Sequence, residues 1–153
     1  MKETFRRYMN ALAEAMRQEL PDVSGLRAEF AVDGKPYVIT ADEEGPAILV
    51  CAVIGALPRD EAARTRVFGM LLHAQFCFSE SCGFSFGVDA DDSFVLLQVL
   101  INPECEDEWH FVAMMEKFVK TANVWGIRLN ESPAEAADGG ELSGTESDFA
   151  IHV

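Results

Sequence analysis

The chain has 153 residues, of which 49% are hydrophobic and 25% are charged, a composition typical of a globular domain with its own core. Its 12 Lys and Arg residues stand against 26 Asp and Glu residues, so the formal net charge is −14. This sign disfavours binding to nucleic acid and to anionic membranes, because both are polyanions, and favours basic or neutral partners.

Targeting signals and cysteine usage predict a cytoplasmic protein. Residues 1–20 are amphipathic, unlike the continuously apolar core of a secretory leader, and the longest apolar run, 47–57, is too short to cross a bilayer. We therefore expect no membrane insertion. Four cysteines are too few for a disulfide scaffold of this length, and Cys51 is predicted to be a small buried hydrophobe.

The first predicted element is an amphipathic helix over residues 4–20, which ends at Pro21 because the proline ring blocks continuation. Polar residues fill one face of this helix, and apolar residues recur at helical spacing on the other. The apolar residues are Phe5, Tyr8, Met9, Leu12, Met16 and Leu20. We expect part of this face to be core and its edge, at Tyr8 and Met9, to be exposed for a partner.

Three short strands follow the first helix. Asp33-Gly34 predicts a tight hairpin between the first two, because glycine accepts a positive φ. The third strand is apolar on both faces and is therefore expected to be central and covered. The predicted strands are 28–32, with Phe30 and Val32 on one side, 37–41 and 47–54.

A second helix is predicted over residues 61–78, with Asp60 as its N-cap. Its apolar residues spread over more than half of the circumference, whereas packing on one side needs only a stripe. A second cover is therefore expected, and in so small a domain it could be another copy of the chain. The interface residues expected on this ground are Val67, Met70, Leu71 and Ala74.

A second hairpin, a third helix and an acidic tail complete the chain. The hairpin strands are predicted at 83–88 and 94–101, and the helix at 104–127. From Glu131 onward the chain has six acidic residues and no Lys or Arg among Ala, Gly and Ser, so we expect a domain over 1–130 and a flexible tail over 131–153. The apolar patch at the end of this tail could dock on the domain.

The element order, α-β-β-β-α-β-β-α, predicts an α+β fold with an antiparallel sheet of about five strands, helices packed on it, and a homodimer. Several segments in this order resemble the class I type III secretion chaperones, the Tir chaperone (CesT) family, over roughly residues 5–129. Gln75 stands where that family often carries Asn, and the tail is longer than the family core requires. The matching segments are 47–58, 71–75 (LLHAQ), 83–89 (GFSFGVD), 94–96 (FVL) and 118–129 with Ala122 and Trp125.

The resemblance implies a dimeric, non-enzymatic chaperone of bacterial virulence, which uses no nucleotide, metal or other cofactor. Such a protein binds an extended N-terminal segment of a secreted effector and keeps it soluble and export-competent. The implied contacts are apolar patches on the first helix and the sheet, together with strand addition at a sheet edge. The residues expected to bind the peptide are Phe5, Tyr8, Met9, Leu12, Phe30, Val32 and Tyr37.

Two other functions remain open. One is a regulatory or peptide-binding protein of the same fold without a link to secretion. The other is a small thiol or metal enzyme, built on His73, Cys77 and Cys82 or on Cys105 and His110. The spacing of these residues lacks the paired C-x-x-C of a zinc site, and no catalytic signature surrounds any cysteine. We therefore expect neither catalytic residues nor metal ligands.

Overall fold

The computed structural model describes residues 1–17, 25–42, 45, 47–103 and 107–135, the side chains of 132–135 excepted. The elements follow the predicted order. They are α1 (Lys2–Met16), β1 (Arg27–Val32), β2 (Lys35–Ala41), β3 (Ile48–Ala56), α2 (Glu61–Gln75), a 3₁₀ turn (Phe76–Phe78), β4 (Ser85–Val88), β5 (Phe94–Ile101) and α3 (Glu108–Glu135).

The five strands form one antiparallel sheet in the order β1-β2-β3-β5-β4, which confirms the predicted α+β class and the central place of β3. The β1–β2 hairpin turns at Asp33 (φ 51°) and Gly34 (φ 77°). Two consecutive positive φ values match the twist of the paired strands, so this turn chemistry sets the register in which Phe30 faces Tyr37.

Helix α3 packs along β3, and α1 packs against α3. Two glycines allow the close approach of α3 and β3: a Cβ added at Gly55 would lie 3.0 Å from the Leu129 side chain, and one added at Gly126 would lie 3.2 Å from the Ile54 carbonyl oxygen. Aromatic pairs join the layers: Tyr8 stacks on Phe111 with centroids 4.7 Å apart. The core therefore lies between the inner face of the sheet and the helices.

Element boundaries differ from the predictions at the carboxyl ends of all three helices, and α3 begins at Glu108 instead of residue 104. Helix α1 ends at Met16, with Arg17 left-handed at φ 52°. Helix α2 ends at Gln75 and continues into the 3₁₀ turn, while the Asp60 carboxylate accepts the Ala63 N–H at 2.8 Å, as expected for an N-cap. Helix α3 extends to Glu135, beyond its predicted end. Residues 18–24, 104–106 and 136–153, which include Cys105 and most of the predicted tail, lie outside the described residues.

The prediction that β3 is covered on both faces is wrong for the single chain. Its inward residues, such as Val50, are buried, but Leu49 is 37% exposed and its β5 neighbour Leu100 is 69% exposed. These two side chains point away from the helices, because alternate residues of a strand face opposite sides. Within the described residues, no helix is long and apolar enough to cross a membrane.

Candidate functional site

A groove of about 230 Å³ runs between α1, α3 and the edge strand β1. We call it the α1–α3 groove. Helical spacing brings one side of α1 to it, strand alternation brings Phe30 and Val32 from β1, and a seven-residue spacing brings Val112 and Val119 from α3. Its lining residues are Leu12, Ala15, Met16, Phe30, Val32, Val112, Met115 and Val119, with Glu116 and Lys120 as the charged members.

A rigid aromatic pair forms the sheet side of this groove. Phe30 is half-buried and stacks on Tyr37, with ring centroids 5.3 Å apart and planes 14° from parallel. Tyr37 is fully buried, and its hydroxyl has no hydrogen-bond partner among the described residues. Burial, assisted by the nearby Asp33 charge, raises the pKa of Tyr37 to about 12, so the ring stays neutral beneath Phe30.

The two edges of the sheet differ in how their backbone groups are used. Strand β1 pairs only with β2 in the described part, so its other edge is free for an added strand. At the β4 edge, the Gln75 side chain takes the place of a neighbouring strand: its Nε2 donates to the Phe84 carbonyl and its Oε1 accepts the Phe86 N–H, both at 3.1 Å. Strand addition is therefore favoured at β1.

The expectation that Tyr8 and Met9 form an exposed edge is wrong. Both are 0% exposed, because α3 packs over this face of α1. Phe5 is also buried, so these three side chains support the groove from within instead of lining it. Among the other residues predicted to bind peptide, Leu12, Phe30 and Val32 line the groove, and Tyr37 lies beneath it.

Sequence reasoning did not predict a contribution of α3 to the site, and on α1 it missed two of the lining residues. The groove residues missed are Ala15, Met16, Val112, Met115, Glu116, Val119 and Lys120. Ala15 is small and lies at the margin of the α1 apolar face, so its side chain gives little hydrophobic signal. Val112 precedes Val119 by seven residues, a spacing that could have placed both at one margin of the α3 face.

Helix α2 also differs from the expectation. Val67, Leu71 and Ala74 are at most 6% exposed, because α2 packs them toward β4 and α3. They are therefore not free to meet a second copy, and Met70 is only partly buried. The apolar surplus predicted from the sequence does exist, but on other residues. Those exposed by half or more are Leu72, Phe76 and Phe78, at 74%, 62% and 51%.

A shallow cavity of about 330 Å³ lies between α2 and β4. It is lined by Phe68, Leu71, Leu72, Gln75, Phe86, Gly87 and Val88. We call this cavity, together with the exposed Leu72, Phe76 and Phe78, the α2 surface. It is separate from the α1–α3 groove, since the two share no lining residue.

The alternative of a thiol or metal enzyme receives no support from the geometry of the described cysteines and histidines. Cys77 and Cys82 are exposed in the connection after α2. Cys51 is partly exposed on the outer sheet face, although burial still raises the pKa of its thiol. Within the described part of the chain, no group of three or more His, Cys, Asp or Glu residues is placed to hold a metal ion.

Comparison with known proteins identifies the class. The model of the Tir chaperone protein (CesT) family matches residues 9–126, which is more than half of the chain. This protein therefore belongs to the Tir chaperone (CesT) family, and the resemblance drawn from the sequence is confirmed. No curated protein sequence matches the chain.

Solved structures with the same fold include three complexes. The HopA1–SchA chaperone–effector complex has a TM-score of 0.62 and 11% identity, covering 85% of this chain and 95% of that one. The ExsC–ExsE complex has a TM-score of 0.66 and 18% identity, covering 84% and 96%. The heterodimeric ExoU–SpcU complex from the type III secretion system of Pseudomonas aeruginosa has a TM-score of 0.61 and 17% identity, covering 81% and 95%. At these identities the likeness shows the fold.

Proposed function

We propose that this protein is a type III secretion chaperone that binds an extended N-terminal segment of a secreted effector and keeps it soluble and export-competent. The observation that carries the proposal is the juxtaposition of the apolar α1–α3 groove with the free edge of β1. Membership of the Tir chaperone family and the similar fold of the HopA1–SchA chaperone–effector complex support it. The protein acts in the cytoplasm and catalyses no reaction.

The groove and the edge make two different contributions to binding. The edge of β1 offers backbone N–H and C=O groups, which pair with any extended chain regardless of its sequence. The groove beside it accepts alternate side chains of that chain, and Phe30 and Val32 lie at the boundary between the two. We infer that backbone pairing gives generality and that the apolar pockets select the segment.

Charge has a secondary role in this proposal. The net charge of −14 repels other acidic molecules and attracts basic segments, an effect that salt screens over about 8–10 Å. The groove itself carries one carboxylate, Glu116, and one ammonium, Lys120, so its local charge is balanced. Affinity should therefore depend mainly on apolar contact.

We also propose a homodimer that uses the α2 surface. Leu72 and Phe76 are each more than half exposed in the single chain, which is unusual for such large apolar side chains. Stable subunit interfaces are rich in such side chains. The buried residues Val67, Leu71 and Ala74 would then hold α2 in place rather than contact the second copy.

The first experiment identifies the partner by co-purification from the native host and mass spectrometry. Calorimetry with the N-terminal region of that partner then compares Phe30→Ser with Ala31→Ser, its exposed neighbour on the opposite side of β1. We expect Phe30→Ser to weaken binding at least tenfold and Ala31→Ser to have little effect. The proposal would be contradicted if moderate salt abolished binding while Phe30→Ser left it unchanged. If the partner is never exported, the protein would instead be a regulatory peptide binder.

A further inference from the structure

The α1–α3 groove is bordered by two basic side chains. Lys120 lines it from α3, and Arg17 directly follows Met16, another lining residue, at the end of α1. Both are exposed, and neither has an acidic partner among the described residues. Glu116 also lines the groove, so Arg17 and Lys120 together leave one net positive charge beside it. In a chain with 12 basic and 26 acidic residues, this local excess suits an occupant that carries acidic residues next to apolar ones.

The C-terminal segment of this chain has that pattern. Phe149, Ile151 and Val153 alternate at strand spacing, so they would share one side of an extended chain. Glu146 and Asp148 immediately precede them. An extended segment of this kind matches both the apolar lining of the groove and the cations beside it.

The length of chain after α3 suits this placement. Helix α3 ends at Glu135, 15 residues after Lys120, which is about 22 Å along a helix axis. Residues 136–148, 13 in number and rich in Gly, Ser and Ala, precede Phe149. A linker of this composition and length spans about 20 Å on average. Because the two distances agree, the effective concentration of the segment at the groove would be near its maximum.

We propose that residues 149–153 of this chain occupy its own α1–α3 groove, with Glu146 and Asp148 beside Arg17 and Lys120. The tethered segment shields the apolar lining while no partner is present. A partner must displace the segment. The partner's apparent association constant is therefore its intrinsic value multiplied by the fraction of molecules whose groove is empty. This competition, unlike the docking itself, rests on the proposed function.

The test uses full-length chains and needs no external partner. Phe149→Ser/Ile151→Ser removes two of the three apolar residues, and Leu142→Ser removes an apolar residue of the same region outside the patch. Methyl NMR follows Val112 and Val119, and the dye ANS reports the accessibility of the apolar groove. We expect the double variant to shift both methyl signals and to bind ANS at least twofold more strongly, whereas Leu142→Ser resembles the wild type.

Two further measurements locate the docking site. A synthetic peptide of residues 141–153, added to the double variant, should restore the wild-type methyl signals and displace ANS. Ala15→Glu in the otherwise unchanged chain should mimic the double variant, because it adds bulk and negative charge at an exposed groove position. Ala113→Glu, at an exposed position of α3 outside the groove lining, is the matched control.

Unchanged Val112 and Val119 signals in the double variant would overturn the inference, as would peptide-induced shifts confined to the α2 surface. These outcomes are separable from failure of the proposed function. If the groove ignores the C-terminal segment yet binds the effector in a Phe30-dependent manner, only this inference fails. If the segment docks but no effector binds at the groove, the docking stands and the proposed function fails.

Discussion

Leu71 and Leu72 are adjacent leucines on α2 that differ in exposure. Leu71 belongs to the core and only borders the α2 cavity from within, whereas Leu72 stands out from the proposed interface, so the pair distinguishes effects on folding from effects on association. Leu71 is 5% exposed and Leu72 is 74% exposed. Leu71→Ala should lower the free energy of unfolding by about 2–4 kcal/mol, because it leaves a cavity in the core. For a protein of this size, the melting temperature falls by about 2–4 °C for each kcal/mol.

Leu72→Ala should act on association instead. Full burial of a leucine is worth roughly 1.5–3 kcal/mol, so covering the exposed 74% contributes about 1–2 kcal/mol in each copy. A two-fold interface contains the residue twice, which gives about 2–4 kcal/mol and roughly a 30- to 700-fold increase in the dimer dissociation constant.

Analytical ultracentrifugation measures that dissociation constant, and denaturant unfolding at two protein concentrations separates folding from association. A wild-type chain that is monomeric at micromolar concentration would refute the dimer. A dimer that Leu72→Ala leaves unchanged would refute the α2 surface as its interface. A cost below about 1 kcal/mol for Leu71→Ala would contradict its place in the core.

Three further predictions concern separate parts of the molecule. Gln75→Ala should speed amide hydrogen exchange at Phe86, because it removes that N–H's acceptor; unchanged exchange would show that the β4 edge is closed by other means. The Asp107 carboxylate, just before α3, accepts the His110 backbone N–H at 2.8 Å, and this hydrogen bond lowers the pKa of that carboxyl group. The ionised carboxylate therefore stabilises the fold at neutral pH, and this contribution is lost as acid protonates it, below about pH 4. Melts of the wild type and Asp107→Asn should therefore differ at pH 7 and converge in acid; a difference that persists in acid would exclude this charge effect. A chain that ends after Glu135 should melt within a few degrees of the full chain, and a larger loss would mean that the removed residues, through the docked segment 149–153, contribute strongly to the stability of the domain.

Local signals predicted the sequence of elements. The Asp33-Gly34 hairpin follows from the conformational freedom of two turn residues, and the α2 start follows from the Asp60 side chain. Strand β5 has the bounds expected from its apolar run and from the Asn102-Pro103 break. Each of these features depends on residues close together in the chain, so a sequence is sufficient to reveal them.

Exposure could not be predicted in the same way. The period of α1 shows which face is apolar, but not how much of that face α3 covers, and α3 covers Tyr8 and Met9 completely. The apolar residues of α2 are spread over more of the helix surface than one core can cover. Which of them face the core depends on the angle at which α2 packs against β4 and α3. Such angles are set by contacts between distant segments, and a single sequence does not display them.

The role of Gln75 depends both on the local conformation of the chain after α2 and on contacts with a distant strand. Its side chain reaches Phe84 and Phe86 because the chain reverses just after α2, through Cys77 and Phe78 at φ 51° and 53°. A polar residue at the end of a helix gives no hint of this, since nothing in the sequence announces two non-glycine residues with positive φ. The role of Gln75 at the β4 edge is therefore visible only in the fold.

The hydrogen bonds of Gln75 to the β4 edge leave the β1 edge as the favoured place for an added strand. With the Gln75 side chain bonded to β4, the proposed partner would add to β1 beside the α1–α3 groove, and the proposed second copy would use the α2 surface. The two surfaces share no lining residue, so their free energies should be additive. Combining Phe30→Ser with Leu72→Ala should therefore weaken partner binding and dimerisation by the amounts measured for each change alone. Loss of partner binding in Leu72→Ala alone would instead mean that the groove is completed only in the dimer.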